Sequence, residues 1–251
     1  MSYQPLISVV TIVLNDLEGL RKTFNSVIKQ TYSNVEYIVI DGGSNDGSAE
    51  FIKDNASSFS FSLSEKDKGI ADAFNKGIAQ AKGKWILFLN AGDTLISASI
   101  LQEVAPALIL SHDLSIVYGK INLVDDQNKT LKTFGRAFDL KTFKREMNIP
   151  HQATFHNAKL FDELGLYDLK YKYCMDYEFL LRIKKPDFKF VNMVISNMAE
   201  GGVSQQDPKE VYKEFNKVKK KHLKSSNFKL NMDLYENMLR YRLSKLKQRF
   251  L

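Results

Sequence analysis

The chain has 251 residues, 44% of them hydrophobic and 12% aromatic. That is enough to bury the core of one large domain, or of one domain with an appendage, and it excludes a disordered chain. The net charge of +7 is uneven: Lys209 to Leu251 holds 13 Lys and Arg against 4 Asp and Glu, a local +9, so everything before it carries −2. A basic tail behind acidic loops argues against nucleic acid as the partner. Apolar runs such as IVL before Asn15 and WILFL before Asn90 fall far short of the roughly 20 residues a spanning helix needs. The N-terminal MSYQPLISVV has neither a basic leader nor a cleavage pattern, and a single cysteine, Cys174, excludes an internal disulfide. A cytoplasmic chain is the expectation.

Ile7 to Leu14 (ISVVTIVL) predicts a buried strand, after which Leu17, Leu20, Phe24, Val27 and Ile28 recur at helical spacing before a turn near Thr31 to Asn34. VEYIVI from Val35 is the second strand. Ser48 is placed to cap a short helix, the alternating Phe59 to Leu63 predicts a strand, and Ile70, Phe74 and Ile78 mark another helix. Trp85 to Leu89 is a third, fully apolar strand. This β-α-β repetition predicts an α/β fold with a mainly parallel sheet.

From about residue 115, SIVYGKINLV, a DDQNKT turn and LKTF predict an added antiparallel hairpin. A helix near Leu140 to Met147 leads into PHQATFHN. Tyr177, Leu180, Leu181 and Lys184 place a helix within Tyr173 to Lys185, and FKFVNMVI predicts the last strand, closed by AEGGVSQQ. Beyond Pro208 two amphipathic helices are expected, one marked by Val211, Phe215, Val218 and His222, the other by Leu239, Leu243, Leu246 and Phe250. The expected division is an α/β domain over 1–205 and a basic helical extension over 206–251.

Four polar clusters sit at element ends: Asn15-Asp16, Asp41 to Ser48, Asn90 to Asp93, and Met175 to Glu178. Three follow strands expected to be parallel, so they should converge at one sheet edge, where open α/β sheets bind ligands. Asn15 and Asp16 serve equally well as helix caps. Gly42, Gly43 and Gly47 let the second loop approach a ligand closely. Its spacing gives neither G-x-G-x-x-G nor a P-loop lysine, and an acidic strand end suits a sugar, a base edge or a metal. The glycines beside Asp41 and Asp93 are expected to expose both carboxylates.

In order along the chain, SVVTIVLN, YIVIDGGSNDGS, EKDKGIADAFNKGI, WILFLNAGD and MDYEFLLR resemble the family 2 glycosyltransferases, nucleotide-sugar enzymes with the GT-A fold. The likeness runs from about Ile7 to Ser204, and Asn-Ala-Gly-Asp, His-Gln and Gly-Gly-Val-Ser most resemble members from bacterial surface-polysaccharide pathways. The resemblance implies a GT-A sheet and a UDP-sugar donor, with Asp41 accepting the imide N–H of uracil. Thr11, Asn15 and Gly43 would lie beside the base or ribose, and Asp67, Lys68 and Asp72 along the ribose and donor sugar. Mg²⁺ or Mn²⁺ would be held on the diphosphate by Asp93, with Asn90, Ala91 and Gly92 in contact with the donor. Asn90 and Gly92 replace carboxylates of many relatives, so Lys68 or Lys76 would supply countercharge unless they are simply solvated helix lysines.

In the same likeness Asp176 is the general base of an inverting single displacement, with Glu178 as rival or as a helix N-terminal charge. His151 and Gln152 would lie near diphosphate or acceptor, and His156 is structural. Ser204, in a mobile Gly201-Gly202 loop, would bind phosphate. The implied reaction is a hexosyl or N-acetylhexosaminyl transfer to a glycan, lipid-linked in this class of pathway. The apolar face of Leu239, Leu243, Leu246 and Phe250, bordered by Arg240, Arg242, Lys245, Lys247 and Arg249, suits an anionic membrane surface, the catalytic domain, or an oligomer contact. A nucleotidyltransferase and a non-catalytic nucleotide-sugar scaffold remain as alternatives.

Overall fold

The computed structural model describes residues 4–202, 207–226, 228–236 and 238–239. Strands β1 (Ile7–Val13), β2 (Val35–Asp41), β3 (Phe61–Ser64) and β4 (Trp85–Phe88) pair in parallel in the order β3-β2-β1-β4. Next come β8 (Thr154–Asn157), antiparallel to β4, then β6 (Ile116–Val124), β9 (Phe188–Ala199) and β5 (Thr94–Leu95). The expected hairpin is present, with β7 (Thr130–Phe134) antiparallel to β6. The sheet is therefore parallel at the half that carries the three acidic loops and mixed beyond it.

The alternation of strand side chains divides the core into two layers. Val9, Val13, Tyr37, Val39, Leu87 and Leu89 face α1 (Leu17–Ile28), α2 (Ser48–Asp54) and α4 (Ile100–Leu110). Val10, Ile38, Ile40, Ile86 and Phe88 face α3 (Ile70–Ile78), α5 (Leu140–Arg145), α6 (Lys159–Leu164), α7 (Met175–Arg182) and α8 (Pro208–Leu223). All eleven of these strand residues are buried, since each strand here is covered on both sides.

Helix α8 is docked on α7. Val218 is fully buried in the second layer, and the Glu214 carboxylate accepts the backbone N–H groups of Tyr173 and Cys174 at 3.2 and 3.4 Å, ahead of the first turn of α7. Buried Lys219 pairs with Asp233 at 3.0 Å, tying α8 to the helical residues that follow.

Three sequence expectations change. Ser48 is not the cap: Gly47 is, at φ +98°, while Ser48 opens α2 and its hydroxyl donates to Asp46. The final strand extends beyond FKFVNMVI to Ala199, because its second half pairs both with β6 and with the short edge strand β5. Helix α4 went unforeseen because its sequence, ILQEVAPALIL, lacks a polar face and contains Pro106. The four-residue β8 and six-residue α6 are too short for periodicity to distinguish.

Candidate active site

Loops after β1 and β2 are fastened to each other. Asn15 adopts a left-handed backbone (φ +51°), its N–H donates to the Ser44 hydroxyl at 2.7 Å, and its Oδ1 accepts from Asn45 N at 2.9 Å. Asp46 accepts from Leu17 N at 2.8 Å and from Ser48, and these hydrogen bonds, the Ser48 hydroxyl foremost, hold its carboxyl below the usual range. Asp16 caps α1 through Gly19 N.

The expected exposure of Asp41 is corrected. Its carboxylate is fully buried and accepts from the backbone N–H and hydroxyl of Ser44 and from the Ser64 hydroxyl. Asp41 thus fastens the end of β2 to its own loop and to the end of β3. Thr11 is likewise fully buried and accepts from the Tyr37 hydroxyl at 3.2 Å. Both lie on the α1–α2 side of the sheet, two residues in register from Val13 and Val39.

The opposite side presents the β3–α3 loop. Gly43, at φ +88°, lets the β2 loop pass against the Lys66 backbone, where a Cβ would come within 3.2 Å of Lys66 N. Asp67 Oδ1 accepts from Gly69 N at 2.8 Å, and Asp72 accepts from Lys68 N at 3.0 Å. Lys76 pairs with Glu65 at 2.8 Å and with Asp72 at 3.7 Å, so its charge is partly neutralised within the loop, whereas Lys68 is exposed.

Asn90, Ala91, Gly92 and Asp93 form a turn closed by Asp93 N to Asn90 O at 3.0 Å, with Gly92 at φ +92°. Its clamp is Thr23 of α1, which sequence reasoning missed. The buried Thr23 hydroxyl donates to the carbonyls of Asn90 and Asp93 and accepts from Gly92 N. Nothing in an amphipathic helix pattern distinguishes such a threonine from a core residue.

Asp93, too, is buried rather than exposed, at 4%. Burial pushes its carboxyl up to about 7, against the opposing hydrogen bonds from Ala199 N (3.2 Å) and the Gln152 side chain. Gln152 therefore stands behind the turn, and its own carbonyl accepts from Ser196.

Among the described residues no group of three or more His, Cys, Asp and Glu could hold an ion unaided. The residues do fit an ion that arrives on a diphosphate, because Mg²⁺ and its like take one or two carboxylates and fill the remaining positions with phosphate and water. Asp93 Oδ2 and Asn90 Oδ1 are buried without a hydrogen-bond partner among the described residues, and Asp16 Oδ2 lies 3.7 Å from the place a Cβ on Gly92 would take.

On the α3 side, Asp176 stands in the first turn of α7, and Oδ2 lies 4.0 Å from His151 Nδ1. Burial raises the Asp176 carboxyl to about 6, and it lowers His151 to about 3, so the imidazole is neutral. The His151 ring is stacked on Phe88 with centroids 5.1 Å apart and planes within 5°. Phe74 and Tyr167 pack at the same ring cluster, and the buried His151 Nε2 and Tyr167 hydroxyl have no hydrogen-bond partner among the described residues. Tyr167 was not foreseen either. His156 is enclosed by Phe88, Phe161 and Phe179 and is brought down to about 4 by burial.

Glu178 is fully buried and points away from Asp176's surroundings. It is bound by Arg182, by Lys221 at 2.8 Å and by His222 at 2.7 Å. Burial alone would raise its carboxyl, but those hydrogen bonds outweigh it and hold the group below its ordinary value. Ser204 lies outside the described residues.

A mixed sheet whose parallel half gathers three acidic loops at the carboxyl ends of its strands is the architecture of a GT-A type glycosyltransferase. The chain belongs to glycosyl transferase family 2, whose model matches residues 8–161. It is 34% identical over 212 residues to a PGL/p-HBAD biosynthesis glycosyltransferase of Mycobacterium tuberculosis, covering 80% of this chain and 79% of that one. An uncharacterized glycosyltransferase of Rickettsia prowazekii is 27% identical over 184 residues, covering 70% and 58%.

Among solved structures, S. aureus TarS 1-349 in complex with UDP-GlcNAc superposes with a TM-score of 0.64 at 15% identity, over 93% of this chain and 71% of that one. The mannosyltransferase PcManGT from Pyrobaculum calidifontis, in complex with GDP-Man and Mn²⁺, gives 0.66 at 16%, over 90% and 66%. At such identities the likeness establishes the fold. Family membership decides for a glycosyltransferase over the nucleotidyltransferase and scaffold alternatives.

Proposed function

We propose that this protein is an inverting glycosyltransferase that moves a sugar from a uridine diphosphate donor to a lipid-linked glycan acceptor, with Asp176 as the general base. The observation that carries the reading is the Asp176 carboxylate itself, raised to about 6 by burial. Such a group is ionised at neutral pH yet basic enough to take a hydroxyl proton. His151, neutral and fixed against Phe88, keeps one side of that carboxylate free of competing positive charge.

In the proposed step the acceptor oxygen attacks the anomeric carbon as Asp176 takes its proton. The bond from that carbon to the diphosphate breaks with its electron pair on the departing phosphate, and configuration inverts. Asp93, Asn90 and Asp16 would hold a divalent cation, which when bound neutralises the departing diphosphate. Support for a nucleoside diphosphate donor comes from the UDP-GlcNAc and GDP-Man held by the structural neighbours. Asn15, Gly43, Asp67, Lys68 and Asp72 remain the proposed nucleotide and ribose side of the site, and Ser204 the proposed phosphate contact from the following loop.

The membrane part of the reading is supported by Phe228, Met232, Tyr235 and Leu239. They are 76%, 48%, 71% and 45% exposed and recur at helical spacing, within the tail that carries the basic excess. No helix among the described residues is long and apolar enough to cross a membrane.

Asp176→Asn tests the base. The expected result is loss of transfer by about a thousandfold, within the range general bases contribute, with UDP affinity nearly unchanged. Near-normal turnover would remove Asp176 from the reaction. Titrating UDP into the protein with and without Mn²⁺ tests the donor and the ion: tighter binding with Mn²⁺ is expected, and no UDP binding under either condition would overturn the donor assignment.

A further inference from the structure

Helix α7 starts without a cap of its own. Residues 171–174 ahead of it form neither strand nor helix, and Cys174, at the cap position, makes no side-chain hydrogen bond to the first turn. Asp176 is the second residue of α7, so fraying of that turn would displace it directly.

The groups that fix this start come from α8, 37 to 41 residues further along. The Glu214 carboxylate accepts from Tyr173 N at 3.2 Å through both oxygens and from Cys174 N at 3.4 Å. The Cys174 thiol donates to Val211 O at 3.7 Å, and the Phe215 ring packs on Tyr177 with centroids 4.9 Å apart.

We propose that Glu214 is a positioning residue for the reaction, its carboxylate fixing from α8 the stretch of backbone that carries Asp176. This rests on the reading of Asp176 as the general base.

Two carboxylates at this one interface are held in different ways. Glu178 is bound by Arg182, Lys221 and His222. Glu214, 8% exposed, is held by backbone N–H groups and makes no ion pair among the described residues. A backbone N–H needs an oxygen, not a charge, so a glutamine would dock α8 as well.

What a glutamine would not supply is the negative charge, and that charge acts on Asp176. Burial comes first in raising the Asp176 carboxyl to about 6, and Glu214 adds to the rise. The other titratable groups around it are neutral: burial lowers His151 to about 3 and raises the Tyr167 hydroxyl and the Cys174 thiol. The same side chain thus holds the backbone under the base and makes the base stronger.

The test titrates the Asp176 carboxyl by carbon-13 NMR in the full-length protein, its resonance assigned by its loss in Asp176→Asn. The midpoint should lie near 6 in the unaltered protein. In Glu214→Gln it should lie about half a unit lower, the direction set by removing a like charge. Lys219→Gln loosens α8 through its tie to Asp233 without touching α7, and should lower stability with the midpoint unmoved.

Glu214→Asp keeps the charge but is one methylene too short for the backbone N–H groups. With UDP-glucose, UDP-galactose or UDP-GlcNAc at saturation in Mn²⁺ it should release UDP about tenfold more slowly than the unaltered protein, as a displaced base would give, with UDP affinity unchanged.

A midpoint that stays in place in Glu214→Gln, or that moves equally in Lys219→Gln, overturns the assignment and leaves Glu214 a docking residue. If Glu214→Gln does not fold, Glu214→Asp decides, and an undiminished rate there overturns it. Near-normal turnover in Asp176→Asn overturns the base reading instead, whatever the titration shows.

Discussion

Replacing Glu178 by glutamine should loosen the join between α7 and the C-terminal extension. The substitution keeps volume and shape, so no cavity term enters. It leaves Arg182, Lys221 and His222 facing a neutral amide in a place where the original carboxylate is fully buried. Breaking one side of a buried ionic cluster costs about 3–5 kcal/mol. Lys221 is 48% exposed and regains water easily, whereas Arg182 and His222 are 18% and 16% exposed and do not. The expected loss is therefore about 2–4 kcal/mol, or a melting temperature lower by about 5–15 °C for a chain of this size.

Urea unfolding at pH 7.5 measures it. Because the Glu178 carboxyl is held below its ordinary value, its stabilisation is complete above the unfolded value of 4.5 and disappears as pH falls through the folded one. The two proteins should thus converge in stability on acidification. A loss below about 1 kcal/mol would refute the argument, and would mean that α8 is held by Val218 and its apolar neighbours, with the cations rehydrated.

Four further outcomes are expected. The kcat/KM of the unaltered protein should rise with pH and level off only above about pH 7, since both Asp176 and the cation-holding Asp93 must be ionised to act; a flat profile between pH 5 and 7 would contradict this. The raised value at Asp176 means the folded state holds the proton more tightly than the unfolded chain, so ionisation costs stability as pH rises from about 4 to 6. Asp176→Asn should then be more stable than the parent at pH 8, by on the order of 2 kcal/mol, and the difference should vanish near pH 4; thermal melts at both pH values check it.

Asp41→Ala should lose about 3 kcal/mol, as three donors lose their acceptor, and chemical denaturation with no measurable loss would deny Asp41 its structural role. In liposome flotation, truncation after residue 226 should abolish binding to vesicles containing anionic lipid. Equal partitioning of both forms would remove the membrane reading.

The sequence by itself determined the α/β class, the parallel half of the sheet and the carboxyl edge where the acidic loops meet. These follow from local physics: WILFL and VEYIVI are apolar throughout because both strand faces are covered, and loops that follow parallel strands must emerge at the same edge. His151 and Asp176, both expected at the site from the sequence, lie 4.0 Å apart.

What only the tertiary structure decided is which way each polar side chain turns. Asp41 and Asp93 carry glycine neighbours that in sequence suggest exposure, yet Ser44 and Ser64 enclose the first, and Ala199 and Gln152 the second. Thr23 as the clamp of the Asn90 to Asp93 turn, and Tyr167 beside His151, gave no sequence signal because their partners are 67 and more residues away or meet them only by packing. A carboxylate's position along the chain is set by the strand that ends there. Whether it meets solvent is set by residues from other loops, and no local pattern encodes those.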